Sequence, residues 1–175
     1  MIQPKGLVAC VIVIGVTTTA AAWQQQGNVR AETVLAEQRG APVTILGYAA
    51  FTPPRMGFSP TSKLPEINHS LRFRNDSERP IDTVQFGLVS FDIFDEVANA
   101  TTQVWRGVIN PGESRSFNES SISRWDSWLQ TGFAYVSRVR FKKGEVWMAD
   151  EPAVLAQIRE ILPEFQAKDL PKPER

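Results

Sequence analysis

Reactive side chains are scarce in this chain of 175 residues, which contains one histidine, His69, and one cysteine, Cys10. Nucleophilic catalysis needs a serine or cysteine beside a base, and the sequence has no Gly-x-Ser-x-Gly elbow. His69 and Ser70 are neighbours on an expected strand, so their side chains point to opposite faces. His69 shares the parity of the apolar residues around it, which favours a hydrogen-bonded core residue over a catalytic base.

Metal and cofactor sites have equally little support. Zinc and iron sites require several histidine or cysteine ligands, which one of each cannot supply. The local acidic group consists of Asp82, Asp92, Asp95 and Glu96. Its spacing is not that of a calcium loop and favours turn chemistry. We therefore expect no catalytic, cofactor-binding or metal-binding residues and no enzyme activity; the alternative is a hydrolase with a carboxylate or serine site in the loops.

Arginine side chains suggest a candidate binding surface. Arg72 and Arg74 share a face of one expected strand, and Arg138, Arg140 and Lys142 share a face of another. If these strands are neighbours, the five cations form a stripe that fits an anionic partner such as lipid headgroups, cell-wall polymers or an acidic protein surface. The alternative is a solvated face with ion pairs, each contributing about 0–1 kcal/mol.

The overall charge argues against a nucleic-acid partner. The chain has 19 Lys and Arg against 19 Asp and Glu, so its formal charge is zero. The tryptophans are a second group of candidate binding residues, because exposed rings occur in binding hot spots and stack on sugars. The four tryptophans concerned are Trp105, Trp125, Trp128 and Trp147. The alternative is that these rings fill the core.

The stretch that must position these side chains is 81–117. Its apolar residues alternate from Val84 to Leu88, the period of a strand with one buried face. The phase changes at Val89, which predicts a bulge or a strand buried on both faces. Turn residues at 95–100 and 110–113 separate three strands, so we predict an antiparallel meander.

Flanking segments predict further strands and one helix. Strands are expected at 43–51, 67–74, 132–142 and 146–148, and on the third of these we expect one face to carry Phe133, Tyr135, Val139 and Phe141. Asp150 as N-cap and Pro152 in the first turn predict a helix. Its apolar stripe consists of Val154, Leu155, Ile158, Ile161 and Leu162. The stripe is expected to pack on the sandwich, or to mediate self-association.

Several of these segments resemble the FxLYD-type domains of bacterial extracytoplasmic proteins. The counterparts are residues 71–75, residues 91–95, the turn at 110–113, and Phe117. Phe94 stands where the family has tyrosine. The resemblance covers about residues 44–150 and implies a small immunoglobulin-like sandwich outside the cytoplasm. It implies no catalytic residue, because fold alone does not determine function.

The first 22 residues have the pattern of a secretory signal. One positive charge lies in residues 1–5, an apolar run covers 6–16, and small residues fill 17–22, with Ala20-Ala21-Ala22 as the expected cleavage site. The alternative is an uncleaved membrane anchor over residues 6–22. Cys10 lies inside this segment, so a mature chain has no disulfide.

Together these patterns predict a mainly β protein: an antiparallel immunoglobulin-like β-sandwich with a C-terminal α-helix. The expected organisation is a signal peptide or anchor at 1–22, a polar linker or short helix at 23–42, the sandwich at 43–150, the packed helix at 151–162 and a disordered tail at 163–175. We expect an exported, periplasmic or secreted, binding or structural module of the cell envelope. Its expected partner is an envelope protein or an anionic surface, with membrane contact only through an uncleaved N-terminus.

Overall fold

The computed structural model describes residues 29–53, 66–123 and 128–172, which form two β-sheets and one α-helix. In chain order the strands are β1 (Val29–Arg30), β2 (Glu32–Leu35), β3 (Val43–Thr52), β4 (Glu66–Asn75), β5 (Ile81–Asp92), β6 (Val97–Ile109), β7 (Ser114–Ile122), β8 (Leu129–Phe141) and β9 (Val146–Met148). The helix, α1, is Glu151–Ile161, and a 3-10 turn follows at Ala167–Asp169.

The two sheets pack face to face. The first has the order β1-β3-β4-β7, and the second has the order β2-β8-β5-β6, with β9 also beside β8. Every pairing is antiparallel except that of β2 with β8. Strands β3, β4 and β7 thus face β6, β5, β8 and β9, the strand arrangement of an immunoglobulin-like sandwich. The predicted fold class is confirmed.

Strand β5 is buried on both faces, one of the two interpretations of its phase change. Val84, Phe86 and Leu88 lie in the core between the sheets. Val89 and Phe91 point the other way, into a second apolar cluster beneath α1. The molecule therefore has three layers, with the second sheet between the first sheet and the helix.

Strand β8 contains a bulge that the sequence pattern did not reveal. Val136 pairs with Phe86 and Arg138 pairs with Gln85, which leaves Ser137 as an extra residue. The expectation of a shared face for Phe133, Tyr135, Val139 and Phe141 is therefore wrong. The first two residues lie beneath the helix and the last two lie between the sheets, because an extra residue reverses the alternation.

The expectation of a polar linker or short helix at 23–42 is wrong for the two segments of that range that form strands, β1 and β2. Residues Glu32–Leu35 form β2, which pairs with β8 from Thr131 to Ala134. The Gln38 amide extends this pairing, since it donates to the Val136 carbonyl (2.9 Å) and accepts from the Val136 N–H (2.7 Å). The free backbone groups along β8 outweigh the weak local preference for helix.

Helix α1 covers part of the outer face of the second sheet. Asp150 caps it through the Ala153 N–H, and Val154 and Ile158 are buried against the sheet. Gln157 also bonds the Glu37 backbone through its side-chain oxygen (2.8 Å) and nitrogen (2.9 Å). The apolar stripe is occupied within the chain, so self-association through it would require the helix to leave the sheet.

The expectation of a disordered tail is wrong for residues 163–172. Phe165 is 2% exposed and Leu170 is 9% exposed, and both join the cluster beneath α1. Arg159 Nε donates to the Phe165 carbonyl at 2.9 Å. Two apolar side chains spaced along a charged, proline-rich segment are enough to hold it on the sheet.

The expected signal or anchor at 1–22 lies outside the described residues. Within the part of the chain that the structure describes, no helix has the length and apolar character needed to cross a bilayer.

Candidate functional site

The outer face of the second sheet is divided into a covered half and an open half. The covered half lies under α1 and the tail, and the open half forms a solvent-facing groove of about 430 Å³. We call it the arginine groove; it is lined by Thr83, Gln85, Val104, Arg106, Arg138, Arg140 and Val146.

The strand register brings the arginines together. Thr83 pairs with Arg140 on β8 and with Arg106 on β6, so these three residues form one row across the sheet. Arg138 pairs with Gln85 in the next row. Because neighbouring strands are about 4.8 Å apart, the backbones of the two arginines that flank Thr83 are roughly 10 Å apart. Long side chains of this spacing can converge on one ligand group.

The groove carries an excess of positive charge. Arg140 Nε donates to Asp82 Oδ1 at 2.7 Å, and this hydrogen bond lowers the pKa of the Asp82 carboxyl. Among the described residues, Arg106 and Arg138 have no carboxylate within ion-pair distance. Within the described ranges, three arginines therefore face one aspartate, and two of the cations lack a carboxylate partner and can bind an anion.

Arg138 is the most constrained of the three arginines. Its Nε is buried and has no hydrogen-bond partner among the described residues. A buried donor without a partner costs about 1–3 kcal/mol, so part of the hydrogen-bonding capacity of this cation is unused. Its side chain is half-buried against the sheet, which limits the entropy lost on binding a ligand.

The five-residue stripe expected from the sequence does not form. Arg72 and Arg74 lie on β4 in the first sheet, and Arg138 and Arg140 lie on β8 in the second. Strand β4 pairs with β3 and β7, so the two arginine pairs belong to opposite outer faces of the sandwich.

The remaining cations of that stripe have other surroundings. Arg74 forms an ion pair with Asp76. Lys142 follows β8 in the turn to β9, where its N–H donates to the Pro80 carbonyl (3.0 Å). In place of these residues the structure adds Arg106, which the sequence pattern missed because its face depends on the pairing of β6 with β5.

His69 lies inside the core rather than at the base of a cleft. It is 1% exposed, and its ring nitrogens contact the Tyr48 hydroxyl (2.9 Å) and the Ser121 hydroxyl (2.7 Å). A neutral ring has one donor and one acceptor nitrogen, so both contacts can be satisfied at once. Burial lowers the pKa of His69 to about 4 and raises that of Tyr48 above its ordinary range.

One member of the acidic group, Asp92, stabilises a turn. Asp92 Oδ1 accepts hydrogen bonds from the N–H groups of Phe94 (2.9 Å) and Glu96 (3.0 Å). Across the described residues no three His, Cys, Asp or Glu side chains are grouped as metal ligands.

The tryptophans have different surroundings. Trp105 and Trp147 pack against the core between the sheets, whereas Trp128 is 68% exposed. Trp125 lies outside the described residues.

Comparison with known proteins identifies no family. No family model matches the chain, and no curated protein does. One similar solved structure is a Northeast Structural Genomics Consortium target, 12% identical, with a TM-score of 0.42 over 61% of this chain and 79% of the other. Another is a hypothetical protein from Peptoclostridium difficile 630, 10% identical, with a TM-score of 0.43 over 67% of this chain and 91% of the other. Likeness at this level identifies neither a family nor an activity.

Proposed function

We propose that this protein is an exported, non-enzymatic β-sandwich module that binds an anionic group of a cell-envelope partner in the arginine groove. The observation that carries the proposal is the convergence of Arg106, Arg138 and Arg140 on the open half of one sheet face. Guanidinium groups bind phosphate and carboxylate through paired hydrogen bonds, and Asp82 offsets one of the three charges.

The shape of the groove favours an extended or surface-bound anion over a small metabolite. Small-molecule sites are concave and enclose most of the ligand, whereas this groove is open along one side of a sheet. The apolar side chains of Val104 and Val146 border it, so the carbon skeleton of a ligand also has a surface to contact. Phosphorylated or carboxylated polymers of the envelope have this chemistry.

Export is supported by the sequence of residues 1–22 and by the resemblance to FxLYD-type extracytoplasmic domains. The positive start, apolar run and small residues are those of a secretory signal. Membership of that family is part of the proposal.

A hydrolase is the second candidate, because Ser121 Oγ lies 2.7 Å from His69 Nε2. A general base works best with a pKa near the operating pH, and the pKa of about 4 makes His69 a weak base. The ring is also 1% exposed. We therefore favour the binding module. Covalent labelling of Ser121 by a fluorophosphonate, absent in Ser121→Ala, would reverse that preference.

Calorimetric titration with a short inorganic polyphosphate tests the groove. We expect binding that weakens as salt rises, because arginine–phosphate contacts release counterions. The double variant Arg106→Gln/Arg138→Gln should lose about tenfold or more in affinity, since one hydrogen bond to a charged group is worth about 1.5–3 kcal/mol.

Arg72→Gln is the matched control. Arg72 is an exposed arginine on the opposite outer face, so its loss should leave the affinity unchanged. Equal losses of binding free energy per arginine removed, in the groove variant and in the control, would show that polyphosphate senses only total charge. That result, or no binding at all, would end the proposal for the groove.

A further inference from the structure

One end of the sandwich exposes a group of large apolar side chains. Strands β3, β5 and β7 finish at this end, and β4, β6 and β8 begin there. We call it the apolar end; it carries Ile93 (49% exposed), Phe94 (77%), Ile122 (57%) and Trp128 (68%). Solvent-exposed aromatic and aliphatic residues grouped in this way mark a contact surface.

Hydrogen bonds fix the backbone that carries these side chains. The Ile93 N–H donates to the Trp128 carbonyl at 3.1 Å, and Asp92 fixes the turn through the Phe94 N–H. On the other side, Asn99 Nδ2 donates to the Ile122 carbonyl at 2.6 Å. The apolar end therefore includes residues of both sheets, and a hydrogen bond connects the two sheets there.

The polypeptide enters the sandwich at this same end. Val29, the first described residue, pairs with Thr52, the last residue of β3, so β1 begins at the apolar end. The residues before Val29 in the sequence include the apolar run at 6–16 and Trp23. The six steps from Trp23 to Val29 span at most about 20 Å when extended.

We propose that the apolar end faces a lipid bilayer, with residues 6–22 retained in that bilayer as an anchor and Phe94 and Trp128 inserted into its interfacial layer. This inference rests on the export segment of the proposed function but not on the arginine groove. Tryptophan prefers the boundary between headgroups and acyl chains, and Trp23 stands at the expected boundary of the anchor. The six residue steps from Trp23 to Val29 limit the distance between this boundary and the end of the sandwich that carries Trp128.

The charges at the apolar end indicate that apolar contact drives this docking. Asp95 and Glu96, the exposed residues that follow Phe94, would be repelled by anionic lipid. We therefore expect insertion into zwitterionic vesicles, with little dependence on salt. This behaviour is opposite to that expected of the arginine groove.

Nitroxide labelling of the full chain in phosphatidylcholine vesicles tests the proposal. In a Cys10→Ala background, Phe94→Cys places a label at the apolar end, and Val108→Cys places a control label on β6 near the opposite end. Both native side chains are exposed, Val108 at 47%. We expect the label at 94 to be several-fold more accessible to oxygen, relative to a water-soluble nickel chelate, than the label at 108.

Tryptophan fluorescence provides a second measurement without a label at 94. Brominated phosphatidylcholine should quench part of the emission, and Trp128→Phe should remove more of the quenched fraction than Trp105→Phe, because Trp105 packs in the core. The groove variant Arg106→Gln/Arg138→Gln should leave both measurements unchanged, so failure of the groove and failure of the apolar end remain distinguishable.

Three results would overturn the inference. Equal accessibility of the labels at 94 and 108 would place the apolar end in water. Protection at 94 that follows protein density in the vesicles would show that a second copy covers the apolar end. Exported protein whose intact mass lacks residues 1–22 would remove the anchor.

Discussion

At the scale of single residues, the core contains a hydrogen-bonded polar group centred on a histidine. His69 on β4 lies between Tyr48 on β3 and Ser121 on β7, and all three side chains are held in a hydrogen-bonded row. The row is stable only while the ring is neutral, because a buried imidazolium would have no carboxylate partner among the described residues. Protonation of His69 at low pH should therefore destabilise the folded state.

The pH dependence of stability should reveal this histidine. The folded pKa of about 4 lies below the ordinary 6.5, so the unfolded chain binds more protons between these values. The contribution of His69 is complete above pH 6.5 and is lost as pH falls toward 4, by about 3 kcal/mol in total. Urea unfolding at pH 7 and pH 5 measures the loss.

His69→Gln is the control for this prediction. Glutamine can donate and accept hydrogen bonds but does not titrate, so its stability should change less between pH 7 and pH 5. Parallel curves for the two proteins would show that other groups cause the loss.

Gly87 is a second position where a single substitution should change the stability of the fold. A Cβ there would lie 2.1 Å from the ring of Tyr135, which covers the glycine from β8. Gly87→Ala should therefore lower the free energy of unfolding by about 1–3 kcal/mol, the usual cost of overpacking. Gly47→Ala is the matched control, since nothing lies within 4 Å of its Cβ. Equal denaturation midpoints would mean that the Tyr135 ring moves aside without cost.

At the scale of elements, the bulge at Ser137 decides what the outer face of the second sheet presents. Before it, Phe133 and Tyr135 face the helix; after it, Arg138 and Arg140 face solvent. One extra residue thus places apolar side chains and cations on the same face of one strand. Gln38 bonds Val136 next to the bulge, which keeps the backbone groups there satisfied.

The tail should contribute measurably to stability. Phe165 is 2% exposed and its ring lies 6.3 Å from that of Phe91, centre to centre. Phe165→Ala should cost about 3 kcal/mol, the lower range for removal of a buried phenylalanine side chain. Lys168→Ala, on an exposed residue of the same tail, should cost less than about 0.5 kcal/mol. Thermal unfolding of both variants would test this, and a neutral Phe165→Ala would mean that the tail leaves the sheet in solution.

At the scale of the whole molecule, the sequence could predict what local patterns determine. The two-residue period, the turn at 110–113 and the cap at Asp150 are readable within short windows, and the sandwich with its helix followed from them. The arginine groove could not be predicted, because it depends on which strands are neighbours. Arg106 and Arg140 are brought together through Thr83, whose pairings join distant parts of the chain.

The arginine groove and the apolar end lie on different surfaces, so they should act independently. Polyphosphate at 100 times its dissociation constant should stabilise the fold by about 2.7 kcal/mol and raise Tm by several degrees. At the same polyphosphate concentration, Arg106→Gln/Arg138→Gln should reduce the shift to about half or less, because its affinity is about tenfold or more lower, whereas Phe94→Ser should leave the shift intact. Loss of the shift in Phe94→Ser, measured by scanning calorimetry, would show that the two surfaces are coupled.

Strand β8 is 13 residues long, but its edge is not free to pair with a strand of a neighbouring molecule. The border beyond it consists of β2, with four residues, and β9, with three, joined across the gap by the Gln38 amide. Two such short strands offer few unpaired backbone groups with which a strand of another molecule could form hydrogen bonds. Growth of fibres by addition of further copies to this edge is therefore disfavoured.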